Sequence, residues 1–176
     1  MNLIAKNRPL AFTLLIVLLA AAILLGPVRS VRSQENKLEK AFASSSEQYE
    51  SVKPALAEFS RNARCFLDVY RQITGSDDAD SRAMAELLAV FDAEMTTPFL
   101  SVTPAEIGRI AGSLYSRVED RDTAKDDARF YYRAMDDLIR KLAHNDEYNK
   151  AAEDFNKQTA DFPAKQIRRG EAVVFR

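Results

Sequence analysis

Residues 38–73 read LEKAFASSSEQYESVKPALAEFSRNARCFLDVYRQI. Within this stretch Leu38, Phe42, Ser45, Tyr49, Val52, Leu56, Phe59, Ala63, Phe66, Tyr70 and Ile73 recur at alternating steps of four and three. An α-helix turns once in ~3.6 residues, so these steps keep one mostly apolar line on one face of a helix. A line of this length predicts a long helix packed lengthwise on other helices; a strand would show period two. Ser44, Ser45 and Ser46 soften the line near its start. Pro54 removes one backbone donor and predicts a kink near the middle. Thr74-Gly75-Ser76 puts glycine where a helix stops.

Downstream, Ser76-Asp77-Asp78 offers a cap and negative charge for the next helix N-terminus. Met84, Leu87, Leu88, Phe91 and Met95 then follow at helical spacing and predict a short second helix. Thr103-Pro104-Ala105-Glu106 reads as a capping box with proline at the first helical position. The helix it opens is expected to be long, with Ile107, Ile110, Leu114, Val118, Ala128, Tyr131, Met135, Leu138 and Leu142 on its buried face. Its centre, EDRDTAKDDAR, is almost wholly polar. His144-Asn145-Asp146 interrupts the period, as a break or as a local irregularity, before Tyr148, Ala152, Phe155, Thr159 and Phe162 resume it. The expected class is all-α: an N-terminal transmembrane helix, then an antiparallel bundle of three to four long helices. No stretch alternates like a hairpin strand.

Upstream, Pro9–Val28 reads PLAFTLLIVLLAAAILLGPV without one charge. Twenty residues at ~1.5 Å each span ~30 Å, the thickness of a bilayer core. The 16 uncharged residues Leu10–Leu25 exceed the usual signal-peptide core, and Gly26-Pro27-Val28-Arg29-Ser30 is a poor cleavage site. An anchor therefore fits better than a cleaved signal. Lys6 and Arg8 flank one end and Arg29 and Arg32 the other, so charge favours neither orientation. The expected organisation is a short tail at 1–8, a transmembrane helix at 9–28, a bundle at 34–163 and a C-terminal tail at 164–176 with an apolar patch from Ala172 to Phe175. The expected location is the cell membrane, with residues 9–28 in the lipid bilayer.

The chain has 25 basic and 26 acidic residues. Four of the basic ones precede Ser33 and all of the acidic ones follow it, so the rest of the chain is net acidic, against a nucleic-acid module. Cys65 is the only cysteine and makes no intrachain disulfide; it reads as a small apolar residue beside the core. His144 is the only histidine and stands three residues after Lys141, so the Glu-x-x-His pair of bundle metal sites is absent. No serine lies in a glycine-rich elbow, and there is no phosphate-binding loop or dinucleotide fingerprint. The acidic cluster Glu119, Asp120, Asp122, Asp126 and Asp127 lacks a calcium loop's glycine and spacing, and the interleaved Arg121, Lys125 and Arg129 suit ion pairs on a solvated face. Nothing here predicts catalysis or a cofactor.

Residues 148–164 read YNKAAEDFNKQTADFPA. This resembles the C-terminal helix of the LemA family: Tyr148-Asn149, Ala151, a second aromatic-Asn pair at Phe155-Asn156 seven residues on, and Phe162-Pro163 at the end. Gly170 and Phe175 sit where that family has a Gly-Phe-rich ending, and the layout of short tail, membrane helix and long helix agrees. The family's early Asp-Leu-Ile is replaced by Ser51-Val52-Lys53. The resemblance implies a bacterial, membrane-anchored antiparallel bundle and brings no catalytic residues. Asn149 and Asn156 share a line beside the aromatic stripe. Asparagine is a poor helix former, so the pair predicts amide hydrogen bonds to a neighbouring helix that fix its register. Together these features predict a non-enzymatic interaction or scaffolding protein with a protein partner or self-association. The alternative is a membrane-tethered module sensing a small molecule between its helices.

Overall fold

The computed structural model describes the backbone of residues 8–121, 125–160 and 170–176, with side chains from residue 36 onward. Five helices follow one another: α1 (Arg8–Thr74), α2 (Ala79–Glu94), α3 (Pro104–Tyr115), α4 (Lys125–Ala143) and α5 (Asp146–Ala160). No strand occurs among the described residues. Among them, too, no helix is long and apolar enough to cross a membrane; the side chains of the 9–28 stretch lie outside the described set.

The 67 residues of α1 extend over ~100 Å. Its heptad line is the core: Tyr49, Val52, Leu56, Phe59, Ala63, Phe66 and Tyr70 are buried, and Leu38, Phe42 and Ile73 at the two ends are half-buried. The helix continues through Pro54, which is exposed. It ends where Gly75 takes φ +62° and donates its N–H to Arg71 O at 2.8 Å, a left-handed stop that needs glycine.

All four later helices pack on α1. The ring pairs Phe66–Tyr132, Tyr49–Tyr148 and Phe42–Phe155, at 6.3, 5.7 and 6.0 Å, show α4 and α5 running down it in the opposite direction. Falling by seven residues on α1, from Tyr49 to Phe42, matches rising by seven on α5, from Tyr148 to Phe155. The two helices are thus in heptad step. Phe59 meets Phe91 of α2 edge-on at 5.8 Å, and Ser60 and Arg64 reach Asp92. The course is up, down, up, down, with the last descent divided between α4 and α5.

The third helix is shorter than the sequence pattern predicts. Ile107 to Leu142 do not form one rod: α3 stops at Tyr115, turns occupy 116–120, and α4 starts at Lys125. The polar run from Glu119 to Arg129 carries little apolar surface to bury. The chain reverses there, so that the apolar faces on either side of it meet each other. Tyr115 stacks on Tyr132 at 4.7 Å, and Gly108 lets α3 approach closely: a Cβ there would come within 2.5 Å of Ile139 Cδ1. The capping box at Thr103 forms, with Glu106 N–H donating to Thr103 Oγ1 and Thr103 N–H to Glu106 Oε2. Between α4 and α5 the chain breaks at His144–Asn145, and Asn145 Oδ1 caps α5 through Tyr148 N–H at 3.1 Å.

Asp78 closes the other end of the bundle. It caps α2 by accepting from Ser81 N–H at 2.8 Å, accepts from Tyr70 Oη at 2.6 Å and pairs with Arg117 beyond α3 at 3.1 Å. The Tyr70 hydroxyl, followed by the Ser81 N–H, holds its carboxyl below the ordinary carboxylate range.

Two outcomes follow for stability. Phe59 and Phe66 are fully buried, so truncating either to alanine should cost about 3–5 kcal/mol, read as a fall in the urea midpoint. A depressed folded pKa gives stabilisation that is present above the unfolded carboxylate pKa and lost as pH falls through the folded one. Asp78→Asn keeps a capping oxygen but removes this titration, so its melting temperature should depend less steeply on acid than that of the wild type.

Candidate functional site

The helices α2 and α3, with 16 and 12 residues, are too short to cover the whole length of α1. Where they end, around Phe42–Tyr49 of α1 and Tyr148–Thr159 of α5, a flank of the bundle is filled by non-helical chain. One filler is the loop from Thr96 to Val102. The other is Gly170–Arg176, which lies extended in a groove between that loop and α5.

The groove holds this segment by its main chain. Asn156 takes Ala172 at both polar atoms: its Nδ2 donates to Ala172 O at 2.7 Å and its Oδ1 accepts from Ala172 N–H at 2.8 Å. Val173 N–H donates to Pro98 O at 2.8 Å, and Tyr148 Oη donates to Val173 O at 2.7 Å. Phe175 N–H donates to Asn149 Oδ1 at 2.9 Å. As the segment rises from 172 to 175 its partners fall from 156 to 149, so it runs back along α5. Such pairing takes the place of the water that an extended strand would otherwise bind.

Side chains complete the fit. Ala172, Val173 and Phe175 are buried, while Glu171 and Arg176 point outward, Arg176 to within 3.4 Å of Glu153. The Phe175 ring lies 5.3 Å from Tyr148, which lies 5.7 Å from Tyr49. Phe99 joins Phe42 and Phe155 in a cluster with every centroid 6.0 Å apart. Gly170 enters at φ +146°, a backbone conformation that favours glycine, and lies against the Phe99 ring, where a Cβ would sit tightly at 3.2 Å. Burial pushes the Tyr148 phenol well above its ordinary pKa, and the Tyr49 phenol likewise. Tyr148 therefore stays a neutral donor.

Asn149 does a second thing. Its Nδ2 donates to Leu142 O at 3.2 Å and Ala143 O at 3.1 Å, the last carbonyls of α4. These acceptors have no partner within their own helix. The expected contact to a neighbouring helix is thus made by Asn149, whereas Asn156 touches the extended segment and no helix. Tyr148 and Phe155 are buried as part of the stripe, Ala151 is half-buried and makes no polar contact of its side chain, and Phe162 and Pro163 lie outside the described residues. The segment expected to be a tail at 164–176 is, in its described part, built onto the bundle. Sequence reasoning missed Pro98, Phe99 and the docking of Ala172–Phe175; the apolar patch with Gly170 before it was the available signal.

Beyond Phe175 the surface continues into a recess of about 220 Å³ bounded by Thr103, Pro104, Leu142 and Val174. A second, of about 250 Å³, opens between α3 and α4 beside Gly108, Tyr132 and Met135. The two share Ala105 and Ile139. Among the described residues no three His, Cys, Asp or Glu side chains gather to hold a metal ion. His144 is exposed, with Nδ1 2.7 Å from Arg140 O, and Cys65 is a free, half-buried thiol. Asp126 pairs with Arg129 at 3.7 Å on the exposed side of α4.

No protein-family model matches the chain, and no curated protein or solved structure matches it.

Asn156→Ala removes both ends of the Ala172 clamp and adds no bulk. Hydrogen exchange at the Ala172 and Val173 amides should speed up at least tenfold, with helical circular dichroism unchanged.

Proposed function

We propose that this chain is a membrane-tethered interaction protein of the LemA type, whose bundle serves by holding an extended polypeptide segment and not by catalysis. The observation that carries the reading is the groove itself. Five hydrogen bonds hold the peptide groups of Ala172, Val173 and Phe175, and Arg176 pairs with Glu153 at the surface. Recognition of main chain in an extended conformation, with pockets for alternate side chains, is a general way of binding peptides. Both asparagines of the Tyr-Asn and Phe-Asn pairs serve it, which gives these poor helix formers a reason to be in α5. The uncharged 9–28 stretch supplies the tether to the lipid bilayer, and the net acidic remainder suits a protein partner over nucleic acid.

A small molecule bound between helices is the second reading. The recess between α3 and α4 favours it, but at about 250 Å³ it falls below the ~300–1,000 Å³ usual for ligand pockets.

The test uses the full chain in detergent carrying Val173→Asp and Phe175→Asp, which expels its own segment. A fluorescent peptide with the sequence of residues 170–176 should then bind saturably. Adding Asn149→Ala and Asn156→Ala should weaken that binding at least tenfold. Absence of binding by a chain that keeps its helical signal overturns the reading.

A further inference from the structure

We infer that the groove's preferred occupant is an extended polypeptide segment with a hydroxyl side chain, serine or threonine, where the chain's own segment has Val173, and that Ser45 is the residue that selects it. The inference rests on the groove's role as a peptide site and names what that site prefers.

The starting point is one orphan hydroxyl. Ser45 is 1 % exposed, and its Oγ has no hydrogen-bond partner. The other buried serine and threonine hydroxyls among the described residues are all bonded: Ser60 to Asp92, Ser81 to Asp77 and Thr159 to Asn156 O. A serine inside a helix can turn its hydroxyl back to the carbonyl four residues earlier; Ser45 does not. A buried polar group left unpaired costs stability, and alanine is the better helix former. The packing of the bundle alone therefore gives no reason for serine at this position.

Its place in the groove gives one. Ser45 stands between Phe42 and Tyr49 on the α1 line. The heptad step that pairs Phe42 with Phe155 and Tyr49 with Tyr148 sets it opposite Ala152. Both neighbouring layers belong to the groove: Phe42 stacks on Phe99 of the loop, and Tyr148 meets the Phe175 ring. The Ser45–Ala152 layer is thus a low step in the floor between two aromatic ones.

The segment crosses that step. Ala172 is clamped at Asn156 and Phe175 at Asn149, so Val173 and Val174 pass at the level of Ala152. Side chains two apart in extended chain share a face. Phe175 turns its ring to Tyr148, so Val173, which is 8 % exposed, turns to the floor one layer along, over Ser45 and Ala152. Valine offers two methyl groups there and nothing that bonds a hydroxyl. Threonine carries a hydroxyl in place of one of those methyls, and a hydroxyl both donates and accepts. It pairs with Ser45 and leaves every main-chain contact as it is. The chain's own segment lacks that bond. It is the weaker occupant, one that a competitor with the hydroxyl displaces.

The experiment uses the full chain in detergent with Val173→Asp and Phe175→Asp, and two fluorescent peptides: residues 170–176 as they stand, and the same with Val173→Thr. The second should bind about fivefold more tightly, the worth of one net hydrogen bond. With Ser45→Ala added to the chain the order should reverse, because the peptide hydroxyl is then buried without a partner. Equal or weaker binding of the Val173→Thr peptide to the chain that keeps Ser45, or a gain that survives Ser45→Ala, overturns the selection and leaves the peptide-site reading standing. If neither peptide binds, both fall. A second measurement needs no added peptide. In the otherwise wild-type full chain, Val173→Thr should slow hydrogen exchange at the amides of residues 172 and 175 about fivefold, and Ser45→Ala added to it should remove the slowing; unchanged exchange overturns the inference. Ser45→Ala alone should leave the melting temperature unchanged or higher. A fall would show that the hydroxyl is already bonded, and would overturn it too.

Discussion

The antiparallel heptad match between α1 and the α4–α5 descent is the constraint on which the remaining structure depends. Tyr49 and Phe42 face Tyr148 and Phe155 at equal steps, and Phe66 faces Tyr132 further up. Two helices in step present the same residues to each other turn after turn, so their separation is fixed along the whole contact. That leaves a trough on the other side of the pair. In its upper half, where α1 carries Phe59 and Phe66, the trough is filled by α2 and α3. In its lower half it is filled by loop and extended chain, because those helices have run out. The groove is therefore a product of unequal helix lengths, and its floor is the same aromatic line that builds the core.

Much of this is legible in the sequence. The four-and-three spacing marks the α1 core from Tyr49 to Tyr70, missing only off-line residues such as Leu67, and the Thr103–Glu106 box and Gly75 mark helix ends that the structure reproduces. These are local signals, written in side chains that do the work they advertise. The undivided third helix is not borne out, because a polar run such as 119–129 is compatible with helix propensity and with a turn alike, and tertiary packing ends α3 in the turns at 116–120. The groove was only half visible. Asn149 and Asn156 stood out as residues costly to a helix, which told that each has a partner. Their partners are peptide groups of residues 172 and 175, and peptide groups look the same in every sequence. Main-chain recognition leaves its trace on the receptor and almost none on what is received.

The two ends of the bundle are held differently. At the Asp78 end three elements meet through charge: a capping carboxylate, a tyrosine hydroxyl and a guanidinium. At the groove end they meet through neutral amides and phenols, with Tyr148 kept neutral by burial. Acid weakens the first arrangement, and neither acid nor salt acts strongly on the second.

Asn149 touches two things at once: the final carbonyls of α4 and the amide of Phe175. One side chain is therefore shared between the corner where the helices change direction and the peptide lying beyond it. Sharing makes the two states reciprocal. Whatever stiffens the corner orients the Asn149 oxygen and favours docking, and docking in turn steadies the corner by the same free energy. Occupancy of the groove and the packing of the α4–α5 corner are thus linked through a single residue.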